Sequence, residues 1–218
     1  MKKINKTLWG SAALLVAFGV WTVLVRFVDL RAIGPLGSEV GFAGINGWVH
    51  GWTGVHLGLY NLTDWLSAIP LGICGGFGVL GLVQWCRRKH LGRVDGDILA
   101  LGGFYGLVMG AFLFFEQVVI NYRPVLIQGR LEASYPSSTT MLVLCIMPTA
   151  VLVLRKRIRH KELGKAVCGG MWAFTLFMVA ARFLSGVHWL TDLLGGILLS
   201  ASLVTLYRGV CMKICKEF

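Results

Sequence analysis

Arg182-Phe183-Leu184-Ser185-Gly186-Val187-His188-Trp189-Leu190-Thr191-Asp192 sets a guanidinium, an imidazole and a carboxylate close together in a chain that is otherwise mostly hydrocarbon. On a helix His188 and Asp192, four residues apart, share one face. A carboxylate one turn away can accept the imidazole N–H, fix its tautomer and leave the other ring nitrogen free to attack. Arg182 precedes that turn, where its planar fork can hold two oxygens of a phosphate. Ionisable groups clustered beside a membrane span mark a functional site by default. The competing structural reading makes Arg182 and Asp192 interfacial anchors and His188 a satisfied core histidine, so further stretches must decide.

The rest of the chain supplies the setting. Its 218 residues allow one compact domain, and 56% hydrophobic content with 14% charged residues describes a polytopic membrane protein rather than a soluble one. Mean hydropathy is +0.72. The net charge of +11 sits in short segments beside apolar runs. Lys2, Lys3 and Lys6 precede the first, Arg87, Arg88, Lys89 and Arg93 follow the second, and Arg155 to Lys165 follow the fourth. Arg208, Lys213 and Lys216 come at the last. That distribution is a positive-inside topology signal and argues against nucleic acid as a partner. Cys74, Cys86, Cys145 and Cys168 lie in or at the ends of apolar runs, as small hydrophobes do. Cys211 and Cys215 are candidate acylation sites near the inner face. No disulfide framework or metal spacing appears.

Hydropathy predicts an all-α, polytopic fold with six transmembrane helices near residues 8–28, 67–86, 98–120, 136–154, 166–183 and 188–207. The chain is expected to form a single integral-membrane domain over 1–218 with both termini cytoplasmic. Residues 29–66, with Trp48, Trp52, Tyr60 and Trp65 beside His50, His56, Asn61 and Asp64, are too polar to span and too apolar for a free loop. They are expected to lie in the outer interface, where His50 and His56 are interfacial groups. Trp189 is expected to anchor its helix.

On this layout Arg123, Pro136 to Thr139, Arg182, His188 and Asp192 all fall on one face of the membrane. Pro136 suits a helix start, and such a start offers unpaired N–H groups and a positive dipole end to phosphate oxygens. Ser137 and Ser138 add hydroxyl donors. Two arginines, a helix start and an oriented histidine amount to a phosphoryl-binding site with a nucleophile, and its depth points to a lipid carrying a phosphate.

At these residues the chain resembles the type 2 phosphatidic acid phosphatase superfamily. That family's pattern is Lys-x6-Arg-Pro, then Pro-Ser-Gly-His, then Ser-Arg-x5-His-x3-Asp. Arg123-Pro124 matches the end of the first element, Pro136-Ser137 the start of the second, and Arg182, His188 and Asp192 the third at the family spacing. The resemblance implies a helix bundle of that family's kind. It also implies a phosphohistidine formed on His188, Asp192 orienting that ring, Arg123 and Arg182 binding phosphate oxygens, and Ser137 as a further donor. It calls for no metal and no cofactor.

Three departures from the pattern bear on the chemistry. Glu116 stands where the family has lysine, Ser138 where it has glycine, and Thr139 where it has the general-acid histidine. A threonine hydroxyl cannot protonate a leaving alkoxide as an imidazolium can, a deficit of roughly 10²–10⁴-fold. A phosphate leaving group suffers least from that loss. Thr139 and Glu116 are therefore accessory candidates, while Ser138 stays with Ser137, Arg123 and Arg182 among the expected phosphate-binding residues. The expected function is hydrolysis of a lipid phosphate or diphosphate on the outer face. The alternatives are a catalytically impaired lipid-phosphate-binding relative and a lipid phosphotransferase. Short loops and few glycosylation signals suit a bacterial plasma membrane. The expected partners are the substrate and membrane lipids.

Overall fold

The computed structural model describes residues 2–214; Cys215 and Lys216 lie outside them. The helices in chain order are α1 (Lys2–Phe27), α2 (Ala43–Thr53), α3 (Leu57–Leu66), α4 (Ala68–Arg88), α5 (Gly96–Gln117), α6 (Ser138–Arg157), α7 (Lys161–Leu184) and α8 (Leu190–Ile214). Three isolated β-bridges occur in the loops, and the described residues contain no strand. The fold is all-α. Among the described residues six helices are long and apolar enough to cross a membrane, α3 and α4 together making the second.

That second rod begins earlier than hydropathy suggests. Ser67, between α3 and α4, has helical φ and ψ of −62° and −18°, so residues 57–88 run on almost without a break. The polar groups that make residues 57–66 look interfacial are partly consumed inside the protein. The Thr63 hydroxyl and the Tyr60 carbonyl both accept from Arg182.

The bundle is arranged around α6, two thirds of whose apolar window is buried, whereas the α3–α4 rod buries 11% of its window. Apolar side chains on the outer helices therefore face outward, as Trp65 and Leu176 do at 81% and 70% exposure. In lipid such surface gives no drive to associate, so packing rests on small residues and interhelical hydrogen bonds. Helix α1 lies along α8 in this way. The Ser11 hydroxyl donates to the Ser202 carbonyl at 2.9 Å and the Ser202 hydroxyl to the Ser11 carbonyl at 3.0 Å. A Cβ on Gly209 would come within 2.6 Å of Leu8 Cδ2.

Opposite charges tie the end of the bundle where α4 and α6 finish. Arg157 of α6 grips both Asp97 oxygens, at 2.5 and 2.9 Å, and reaches Asp95 at 3.3 Å. Arg88 of α4 pairs with Asp95 at 2.8 Å. The Tyr207 hydroxyl of α8 donates to the Asp97 carbonyl at 3.3 Å. With that end fixed, the loop after α5, the start of α6, the end of α7 and the start of α8 are gathered at the other end.

Candidate active site

Two glycines let α8 begin its course against the loop that precedes α6. A Cβ at Gly195 would lie 2.5 Å from the Tyr135 ring, and one at Gly196 would lie 3.3 Å from the Ser137 carbonyl. The Ser137 N–H in turn donates to the Asp192 carbonyl at 3.1 Å. At the other side of the site Gly186, at φ +65°, packs on the Gly54 carbonyl, which a Cβ would meet at 1.7 Å. That conformation costs glycine little. The turn made by Ser185 to Trp189 is thereby clamped between the α2–α3 connection and α8.

His188 stands in this turn, two residues before α8, and not on the helix where the four-residue spacing put it. The consequence is a looser link to Asp192: His188 Nδ1 and Asp192 Oδ2 are 3.7 Å apart, and Nδ1 has no hydrogen-bond partner among the described residues. The carboxylate is occupied elsewhere. Its Oδ2 accepts the Trp189 backbone N–H at 2.9 Å, as the acidic member of a capping box does. Its Oδ1 accepts from Asn121 Nδ2 at 3.1 Å. Asp192 thus secures the first turn of α8 and, through it, the turn that holds the histidine.

Arg123 reaches the same imidazole from the other side, its Nη1 lying 3.1 Å from His188 Nε2. A guanidinium only donates, so Nε2 is the acceptor and the ring proton belongs on Nδ1, facing Asp192. Arg123 Nε forms an ion pair with Glu132 at 3.0 Å. Burial first, then the charges of Arg123 and Arg182, hold the His188 imidazole well below the ordinary histidine value. It is a neutral base with its lone pair turned toward an arginine.

Arg182, in the last turn of α7, is almost completely buried. Its Nη1 donates to Thr63 Oγ1 at 3.0 Å, and its guanidinium carbon lies 4.7 Å from the centre of the Tyr60 ring. The Arg123 guanidinium sits 5.7 Å from the same ring. One aromatic ring therefore serves both cations. Arg182 Nε has no partner among the described residues, and an unsatisfied buried donor of this kind is what an anion would engage.

The second element divides. Ser137 is wholly buried and shares a hydrogen bond of 3.0 Å with Thr140 Oγ1, so its hydroxyl is engaged within α6. Ser138 lines a cavity of about 10 Å³, room for one water, together with Glu116, Ser134, Tyr135 and His188. Thr139 turns into a neighbouring apolar cleft of about 350 Å³ between α4, α5 and α6, which Leu71, Val108, Phe112 and Leu142 help to line. Ser138, Phe112 and Met141 belong to both spaces. Among the described residues no group of three or more His, Cys, Asp or Glu side chains is disposed to hold a metal ion.

Trp189 is not a headgroup anchor. It is 2% exposed, its Nε1 donates to the Tyr122 carbonyl at 2.8 Å, and its ring meets His50 at 5.3 Å. It ties the histidine turn to the Arg123 loop. Partial burial lowers the His50 pKa from the ordinary histidine value. The His56 side chain contacts the Thr53 carbonyl at 3.0 Å, and its backbone N–H donates to the Ser185 carbonyl. Sequence reasoning missed Asn121, Tyr60 and Thr63 as parts of the site. An asparagine in a loop and an aromatic in an interfacial segment carry no pattern that sets them apart.

The fold places the chain among all-helical, polytopic integral membrane proteins. The PAP2 superfamily profile matches residues 102–213, and the chain belongs to that superfamily. No curated protein matches it. Among solved structures it is similar to one described as a transmembrane PAP2-type phosphatidylglycerolphosphate phosphatase from Bacillus subtilis. Identity is 19% and the TM-score 0.61, with 95% of this chain and 98% of that one covered. At that identity the likeness is one of fold.

Proposed function

We propose that this chain is a membrane lipid phosphatase that hydrolyses a lipid phosphate or diphosphate through a phosphohistidine on His188. The observation that carries the reading is the approach of Arg123 to His188 Nε2 at 3.1 Å, with Arg182 on the same tyrosine ring and an apolar cleft adjoining. A phosphoryl group entering between the arginines takes over their hydrogen bonds and frees the Nε2 lone pair. Nε2 then attacks phosphorus, the bond from phosphorus to the lipid oxygen breaks, the leaving oxygen departs as the anion and takes its proton from water, and the Nδ1 proton remains on the ring facing Asp192. Water next attacks phosphorus, the P–N bond breaks with its electron pair returning to Nε2, and phosphate leaves as the water's proton passes to solvent. The cleft lined by Thr139 suits a lipid tail whose head lies at Ser138.

The reading extends to topology. The basic segments at the ends of α4 and α6 belong on the cytoplasmic side with both termini, which puts His188 on the extracytoplasmic face. A bacterial plasma membrane is the proposed location, and residues 1–218 are one integral-membrane domain. Phosphatidylglycerolphosphate, the substrate by which the Bacillus neighbour is described, is a lipid phosphomonoester and so one member of the candidate class.

A second reading, a lipid-phosphate binder without turnover, is favoured by Thr139 in place of the general acid and by the 3.7 Å gap between His188 and Asp192. A phosphotransferase passing phosphoryl from His188 to another lipid would share the first step. Purified protein and its His188→Ala variant, incubated with a lipid diphosphate and with a phosphatidic acid, separate these. Phosphate release by wild type alone supports the phosphatase, phosphoryl transfer to an added lipid acceptor without release supports the phosphotransferase, and binding of either lipid with neither supports the second reading. Thr139→His should raise monoester hydrolysis over diphosphate hydrolysis by about tenfold or more, and an unchanged ratio would refute the leaving-group argument.

A further inference from the structure

At the end of α6 remote from His188, neighbouring arginines meet different fates. Arg157 turns toward α5 and is neutralised by Asp95 and Asp97. Arg155, Arg159 and Lys161 pair with no carboxylate among the described residues. With Lys165 they line a cleft of about 500 Å³ between α6 and α7. Lys165 has one exposed partner, Glu162, at 2.9 Å. The positive-inside tendency explains why basic residues occur at this end, but not why they converge on a concavity, where like charges repel.

The floor of the cleft is of another kind. Cys168 and Trp172 of α7 line it too, about 10 and 16 Å along the helix from Lys161. The space therefore runs from the charged loop down to hydrocarbon depth, with cations at the mouth and apolar side chains below. A soluble anion would use only the upper part. From this juxtaposition we infer a binding site for an acidic phospholipid of the leaflet on that side, its headgroup held by Arg155, Arg159 and Lys161 and its upper acyl chain lying against Trp172. The site is about 30 Å, the length of α6, from His188, so it is separate from the proposed phosphoryl site and does not depend on turnover there.

The test is retention of phosphatidylserine against phosphatidylcholine of the same acyl chains, counted by native mass spectrometry on the full chain released from detergent. A photoactivatable phosphatidylserine maps the position. Wild type should prefer phosphatidylserine by tenfold or more and crosslink within residues 155–172. The triple variant Arg155→Ala/Arg159→Ala/Lys161→Ala should lose most of the preference, while Lys2→Ala/Lys3→Ala/Lys6→Ala, with equal charge removed, should keep it. His188→Ala should also keep it, whatever its effect on hydrolysis. Equal loss in both triple variants would mean diffuse electrostatics and overturn the site. Displacement by glycerophosphoserine at concentrations equal to the lipid would identify a soluble-anion pocket and overturn the lipid assignment. Crosslinks confined to segments outside 155–172 in wild type would overturn it without any variant.

Discussion

Arg123 and His188, 65 residues apart in sequence, meet at 3.1 Å between guanidinium Nη1 and imidazole Nε2. The contact brings a fixed charge to the one ring nitrogen that can act as a nucleophile. In the proposed mechanism it also occupies that nitrogen until an anion competes for the arginine.

Arg123→Lys should therefore be far from conservative. Lysine keeps the charge but loses the planar fork that can face Glu132 and His188 together. Phosphate release from the preferred lipid is expected to fall by about 100-fold or more, on the scale of losing a preorganised donor. Steady-state assays at saturating lipid check it; a loss below about threefold would mean Arg123 does not bind the transferred group.

Asp192→Asn separates the two duties of that side chain. Asparagine can still accept the Trp189 N–H through its amide oxygen, so helix α8 should start as before. The negative charge that stabilises a proton on Nδ1 is gone, and kcat is expected to fall by about 10²–10⁴-fold, by analogy with the orienting carboxylate of the serine-protease triad. Asn121→Ala leaves the charge but removes the Oδ1 donor, at a stability cost of about 1–3 kcal/mol. Thermal unfolding in detergent measured beside turnover tells the two variants apart.

Tyr60→Leu removes the ring shared by Arg123 and Arg182 while keeping an apolar side chain in α3. The backbone carbonyl that accepts from Arg182 remains. Each cation loses about 0.5–2 kcal/mol of attraction to the ring, and the expected result is a KM raised roughly three- to tenfold with a smaller change in kcat. An unaltered KM would show that the arginines are held by Thr63 and Glu132 alone.

The pH dependence follows from the depressed His188 pKa. In the unfolded chain this group titrates near 6.5, whereas the folded protein takes up its proton only at lower pH. Its contribution to stability is therefore complete above about pH 6.5 and is lost as pH falls through the interval below, because the unfolded state binds the proton first. Wild type should lose thermal stability between pH 6.5 and 5 more steeply than His188→Gln. Parallel melting curves for the two proteins over that range would contradict the assignment of a neutral buried imidazole.

Much of the architecture is legible in the chain itself. Six apolar stretches separated by basic or polar segments leave few alternatives to a helical bundle, because hydrocarbon offers no partner to an unpaired peptide group. The spacing of Arg182, His188 and Asp192 and the pairing Arg123-Pro124 likewise point to one cluster. These are local signals, written in composition and in separations of a few residues.

Tertiary structure decided what local signals cannot carry. His188 lies off the helix because Asp192 is used to cap the first turn of α8, a choice made by the competing Trp189 N–H and Asn121 amide. Ser137 faces Thr140, Trp189 is buried instead of interfacial, and Tyr60 joins the two arginines. Hydropathy sorts residues between water and lipid, but a polar group taken out of both must find its partner within the protein. Which partner that is depends on helices that meet only when the bundle closes.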